Sequence, residues 1–202
     1  MKFYENTYYH IYNRTNNEEA LFRSEENYLY FLKKYRYYIT EYLDTIGYCL
    51  MPTHFHFLVR VREVEEKPSE GLQPSEGSNS HSIIISRRIG TLLNSYSQAF
   101  NKMWNRHGNL FNQKTNAKPV PSDRYLITLL TYIHQNPFRR GLVKMAEEWI
   151  FSSYQDYIDL RNGTLPSKDM ILGMIKKEEL REMTEKIILN EPSEGYETFG
   201  RL

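Results

Sequence analysis

Residues 54–62, HFHFLVRVR, constrain this chain more than any other stretch. In an extended strand successive side chains point to opposite sides. His54, His56, Leu58 and Arg60 then share one side, and Phe55, Phe57, Val59 and Val61 the other. The second set pins the strand to a core. The first holds two imidazoles side by side on a rigid platform. Another β-rich run, residues 45–51 (TIGYCLM), lies just before it, and Pro52-Thr53 between the two suits a tight turn.

The rest of the chain fits around these strands. Residues 7–13 (TYYHIYN) read as a first strand, followed by a polar loop, Arg14-Thr15-Asn16-Asn17. Residues 25–43 repeat apolar positions at helical spacing, with Leu29, Leu32, Tyr35 and Ile39 on one stripe. Residues 63–82 are rich in Pro, Ser, Gly and Glu and read as a flexible loop. Helical spacing resumes from Ile84 to about Trp104, and a short strand is expected near 117–120. Ser122 is placed to cap a helix over 123–134 or beyond, which Asn136-Pro137 should end or kink. Residues 168–189 read as one or two amphipathic helices. The order β-α-β-β-α-(β)-α predicts an α+β fold. The expected form is a ferredoxin-like or RRM-like split β-α-β with an antiparallel sheet, helices on one face and extra C-terminal helices. Residues 1–144 would form the main domain, with the loop at 63–82, and residues 145–202 a helical extension.

Composition excludes several classes. Hydrophobic residues make up 40% and charged residues 25%, as in ordinary globular proteins. No apolar run reaches the roughly 20 residues of a membrane span. The first residues, MKFYENTYYHIYNR, have no apolar stretch of the kind a secretory signal needs. The single cysteine, Cys49, excludes an internal disulfide and a multi-cysteine zinc site. A cytoplasmic location is expected. Net charge is only +1, but residues 145–202 carry seven Lys/Arg against twelve Asp/Glu, and residues 1–144 carry 19 against 13. A basic front of this kind suits phosphate, and equally suits ordinary surface scatter. The 17 tyrosines include many in the first 50 residues; such rings stack on unpaired bases or simply fill a core.

Two segments carry chemistry. In His54-Phe55-His56 both imidazoles point the same way and can bind one divalent ion, or stand as two surface histidines with no shared role. In Tyr132-Ile133-His134-Gln135-Asn136-Pro137, Tyr132 and Asn136 are four apart and share a helical face. A phenol needs a nearby cation to act as a nucleophile at neutral pH. An amide oxygen could complete a set with two histidines. Packing for Tyr132 and capping for Asn136 are the competing readings. His134 points elsewhere, His10 on the first strand reads as core but would lie near the site if that strand is central, and His81 and His107 read as solvated loop residues.

Taken together, YHIYNR near the start, MPTHFHFLV, GNLF, LLTYIHQNPFRRGLV and EWIFSSY resemble the single-tyrosine HUH transposases, in particular the REP-associated tyrosine transposase branch. The resemblance runs from about Tyr8 to Tyr157. It implies that His54, His56 and Asn136 hold Mg²⁺ or Mn²⁺, and that Tyr132 attacks a phosphate of single-stranded DNA bearing a hairpin. A 5′-phosphotyrosine link forms and a free 3′-hydroxyl leaves, to rejoin strands later. The chain would act as a monomer or homodimer, with no membrane partner. The alternative is a domesticated relative that holds palindromic DNA without cutting it. A third reading is an RNA-binding domain with exposed aromatics on its sheet.

The chain departs from the family after GNLF. Family members often carry a basic residue there, where this chain has Asn112-Gln113-Lys114-Thr115-Asn116; Lys114 would serve. The expected DNA contacts are Arg14, Arg60, Arg87, Arg88, Lys114, Arg139 and Arg140, the last two foremost, with Arg62, Lys102, Arg106 and Lys118 behind them. Pro-Ser-Glu-Gly recurs at 68–71, 74–77 and 192–195, which reads as linker chemistry. Its codons can also spell an inverted repeat.

Overall fold

In the computed structural model, residues 1–16, 19–63 and 77–186 are described. Four strands form one antiparallel sheet: β1 (Tyr8–Arg14), β2 (Leu43–Met51), β3 (His54–Val61) and β4 (Asn116–Pro119), in the spatial order β2-β3-β1-β4. The helices are α1 (Glu25–Ile39), α2 (Gly77–Met103), α3 (Asp123–Arg139), α4 (Tyr154–Tyr157), α5 (Asp169–Leu172) and α6 (Lys177–Glu185). The strand order is that of the expected split β-α-β unit, and the α+β class holds.

The alternation of β3 decides which helices go where. On one side, Phe55, Phe57, Val59 and Val61 join Tyr9 and Ile11 of β1 and Tyr48 and Leu50 of β2 in an aromatic core. α1 fills it with Phe31, Tyr35 and Ile39, and α2 with Ile85, Ile89, Leu92, Tyr96 and Phe100. The Tyr35 ring lies flat on Phe57 at 3.9 Å between centroids. These two helices share a face, as the split unit requires.

α3 departs from the one-face expectation. It covers the opposite side, where Leu126, Leu129, Leu130 and Ile133 pack with Leu58, Ile46, Cys49 and Met51. The reason is the second half of the alternation. Leu58 and Cys49 leave an apolar patch beside the histidines that must also be covered. Gly47 of β2 lets the helix approach, because a Cβ there would collide with the Leu130 side chain. The C-terminal elements share this second core through Tyr157, Ile171, Ile175 and Leu180. Residues of the C-terminal extension thus pack against the same apolar cluster as α3.

Two boundaries differ from expectation. α2 begins at Gly77, inside the segment read as a loop. Its first turns are tied down where the Ser82 hydroxyl accepts the Phe3 backbone N–H at 2.9 Å. Residues 64–76, with most of the first two Pro-Ser-Glu-Gly copies, and 187–202, with the third, lie outside the described residues. α3 runs through Pro137 to Arg139 instead of ending before it. Proline removes the N–H that Ile133 C=O would receive. The Asn136 side-chain amide turns back onto that carbonyl at 3.5 Å and onto Tyr132 C=O at 2.9 Å. The start of α3 is capped as expected, with Ser122 Oγ accepting the Tyr125 N–H. Among the described residues no helix is long and apolar enough to cross a membrane.

Candidate functional site: a histidine pair under a tyrosine helix

The site is built where the polar end of β3 meets the last two turns of α3. His54 and His56 point to the α3 side, and both are buried. Their rings meet edge to face at 5.0 Å between centroids. Cross-strand pairing supplies their neighbours: Arg14 faces His54 and Tyr12 faces His56. From above, Tyr132 brings its ring to 6.4 Å from that of His56. Asn136 and Arg140 follow on the same helical face at four-residue steps. Arg140 reaches the other end, lining a cleft of about 560 Å³ with His54, Arg14, Thr53 and Asn112. The arrangement thus runs Tyr132, Asn136, Arg140 above His56, His54, Arg14.

Both histidines are held neutral. Burial first, then the positive charges of Arg140 and Arg14, brings the His54 pKa down to about 4. His56 is pushed well below its ordinary value by burial, by His54 and His10, and by Arg140. A neutral imidazole is the form that binds a cation. His54 Nδ1 lies 3.0 Å from the Thr53 hydroxyl, and His56 Nδ1 lies 3.0 Å from His10 Nε2. The Nε2 atom of His56 is buried with no hydrogen-bond partner among the described residues. An orphaned, neutral, buried nitrogen of this kind fits a metal ligand. The Asn136 amide nitrogen is engaged with its own helix, so its oxygen is the end left for an ion. Among the described residues no group of three or more His, Cys, Asp or Glu could hold a metal. A cation here would rest on His54, His56, the Asn136 oxygen and oxygens of a bound ligand, a mixed nitrogen and oxygen set that does not by itself select one metal.

The basic residues divide. Arg14 and Arg140 line the cleft. Arg139 lies over the Tyr132 ring at 5.6 Å and donates to Gln135 Oε1. Lys118 of β4 pairs with His10 and so faces the same side. Lys114 is exposed between Phe111 and β4. Arg60 shares the histidine side of β3 but stands at its far end, bonded to Asn6. Arg87 and Arg88 are on α2, across the sheet from the site, with Arg88 against Tyr42. Arg62 pairs with Asp44, and Arg106 with Glu19. His81 is not a solvated loop residue; it is buried in α2 and pairs with Glu5. His134 is fully buried, with Nε2 on the Ser153 hydroxyl at 2.8 Å.

Sequence reasoning missed Thr53 and the place of Tyr12 beside His56; His10, expected near the site only if its strand were central, is there because β1 is central. Nothing in one strand's sequence tells which residue of another lies across from it. Gln135 was missed as well. Its amide donates to the carbonyls of Met183, Thr184 and Lys186, tying α3 to the end of α6.

No known family pattern and no curated protein matches this sequence. The fold does match. A solved REP-associated tyrosine transposase bound to a REP hairpin superposes with a TM-score of 0.53 at 16% identity, over 79% of this chain and 82% of that one. The likeness establishes a shared fold, and it falls in the same family that the sequence motifs resemble.

Proposed function

We propose that this protein cleaves and rejoins single-stranded DNA at hairpin-bearing sequences, with Tyr132 as nucleophile. The observation that carries the reading is the placement of the Tyr132 ring against His56, beside a cleft lined by His54, Arg14 and Arg140. Supporting it are the family-like motifs and the structural likeness to a transposase bound to a hairpin.

Arg14 and Arg140 hold the phosphate of the DNA by charge and by N–H donors. Tyr132 Oη then forms a bond to phosphorus as the bond to the 3′-oxygen breaks. The phenol loses one proton and the leaving 3′-oxygen gains one, so the exchange is balanced without water. The reverse attack by a 3′-hydroxyl rejoins a strand and restores the phenol. His54, His56 and Asn136 would hold Mg²⁺ or Mn²⁺, which supplies charge to polarise the phosphate. The neutral state of both imidazoles serves that role. Arg139 over the Tyr132 ring steadies it.

The test is incubation with Mn²⁺ and hairpin oligonucleotides, followed by a denaturing gel. A covalent protein–DNA adduct is expected from the wild type and none from Tyr132→Phe, with hairpin binding kept in both. Wild type that binds hairpins tightly yet forms no adduct on any of them would instead make this a non-cleaving binder of palindromic DNA.

A further inference from the structure

A second cleft, of about 520 Å³, opens between α2 and residues 108–115. Half of the residues that line it carry side-chain amides, and none carries a charge. Asn94 and Gln98 come from α2, one helical turn apart, and Asn112 and Gln113 from the facing segment. These four residues are exposed, and their amide groups bond to no other described residue, so each leaves a donor and an acceptor open. Leu93 and Phe111 add apolar surface. One wall is held in place by Arg106, which donates to Asn101 Oδ1 and to the Gly108 and Asn109 carbonyls. Gly90 lines the same cleft from the interior of α2. Glycine weakens a helix interior relative to alanine. Packing explains Gly47, where a Cβ would strike Leu130, but a Cβ at Gly90 would meet nothing within 4 Å. Nor does Gly90 have a positive φ. What its missing side chain does is keep the cleft open.

The two clefts meet at Asn112. It lines this one and the cleft of Arg14, His54 and Arg140, and its backbone N–H donates to the Arg14 carbonyl at 2.8 Å. We infer that the amide cleft takes an unpaired adenine of the DNA strand whose phosphate lies in the first cleft, and so helps decide which sites are bound. An uncharged cleft with hydrogen-bonding walls and some apolar surface suits a nucleobase and not a phosphate. The donor and acceptor of an Asn or Gln amide match the N6 and N7 edge of adenine. Guanine is more often read by Arg or Lys, and neither lines this cleft. The choice of DNA as the ligand rests on the proposed function, but the inference concerns binding and not cleavage.

The test is metal-free binding of the full chain to hairpin oligonucleotides with single-stranded flanks, read by fluorescence anisotropy. The flanks are abasic except for one base, moved position by position on either side of the hairpin. At one position adenine should bind about tenfold tighter than any other base or an abasic residue. Gly90→Leu fills the cleft with a better helix former, so it should raise the urea midpoint while that preference disappears. The double variant Asn94→Ala/Gln98→Ala, which keeps the space and removes two amides, should also lose the preference. The inference is overturned if wild type shows no base preference at any position, or prefers another base, measurements that need no variant to fold. It is equally overturned if the adenine preference survives in either folded variant. Failure of the cleavage reading looks different: the adenine preference follows Gly90 and the amides as stated, while no adduct forms on hairpin DNA.

Discussion

The two faces of the sheet are made from the same strands and do different work. Toward α1 and α2 the side chains are almost all aromatic or aliphatic, and rings stack through the layer. Toward α3 the surface is divided. Leu58 and Cys49 continue the core, while His54, His56, His10 and Arg14 make a polar end. One face spends its burial on stability. The other spends part of it on holding neutral histidines that water would otherwise protonate. β3 belongs to both, so neighbouring residues in its sequence should fail in opposite ways when changed.

Phe57→Ala breaks the stable face. Its ring is sandwiched against Tyr35, and the cavity should cost about 3–5 kcal/mol, seen as a lower midpoint in urea. A Phe57→Ala variant as stable as wild type would contradict the division. The Tyr132→Phe change, by contrast, should leave that midpoint in place while abolishing the adduct.

The histidine face should be the acid-sensitive one. The pKa of His54 is brought down to about 4, and those of His10 and His134 to about 3, all chiefly by burial. Each lies below the value of about 6.5 in the unfolded chain. Unfolded protein therefore binds protons that the fold refuses, and the stability these groups contribute is whole above pH 6.5 and lost as pH falls toward 4. A drop from pH 7 to 5.5 should cost roughly 1 kcal/mol for each group in urea titrations. Stability that is flat over this range would mean the histidines are hydrated.

Smaller effects separate the cations of the two faces. Arg140→Ala should weaken hairpin binding by roughly five- to tenfold and lower the salt dependence by about one ion. Arg88→Ala, on the α2 side, should change neither; equal effects would mean that DNA runs over both faces. The smallest expected effect is Tyr12→Phe. Tyr12 also lies near His56, at 6.1 Å between ring centroids, but on the sheet and not on α3. Adduct yield within about twofold of wild type is expected, and its loss would move the nucleophile to Tyr12.

The sequence by itself determined the element types and their order, because periods of two and of 3.6 residues are local properties. It also paired His54 with His56 and Tyr132 with Asn136, since each pair sits on a single element. Boundaries that rest on long-range ties were not legible: α2 starts at Gly77 because Ser82 is bonded to Phe3, and α3 passes Pro137 because Asn136 covers the carbonyl that proline leaves. Tertiary structure alone decided that α3 crosses to the histidine face, guided by Leu58, Cys49 and the absent side chain of Gly47. It alone set Arg14, Arg140 and His10 beside the pair while leaving Arg87 and Arg88 across the sheet. The reason is physical: a strand's alternation says which residues share a side, but register and packing between distant segments decide what they meet there.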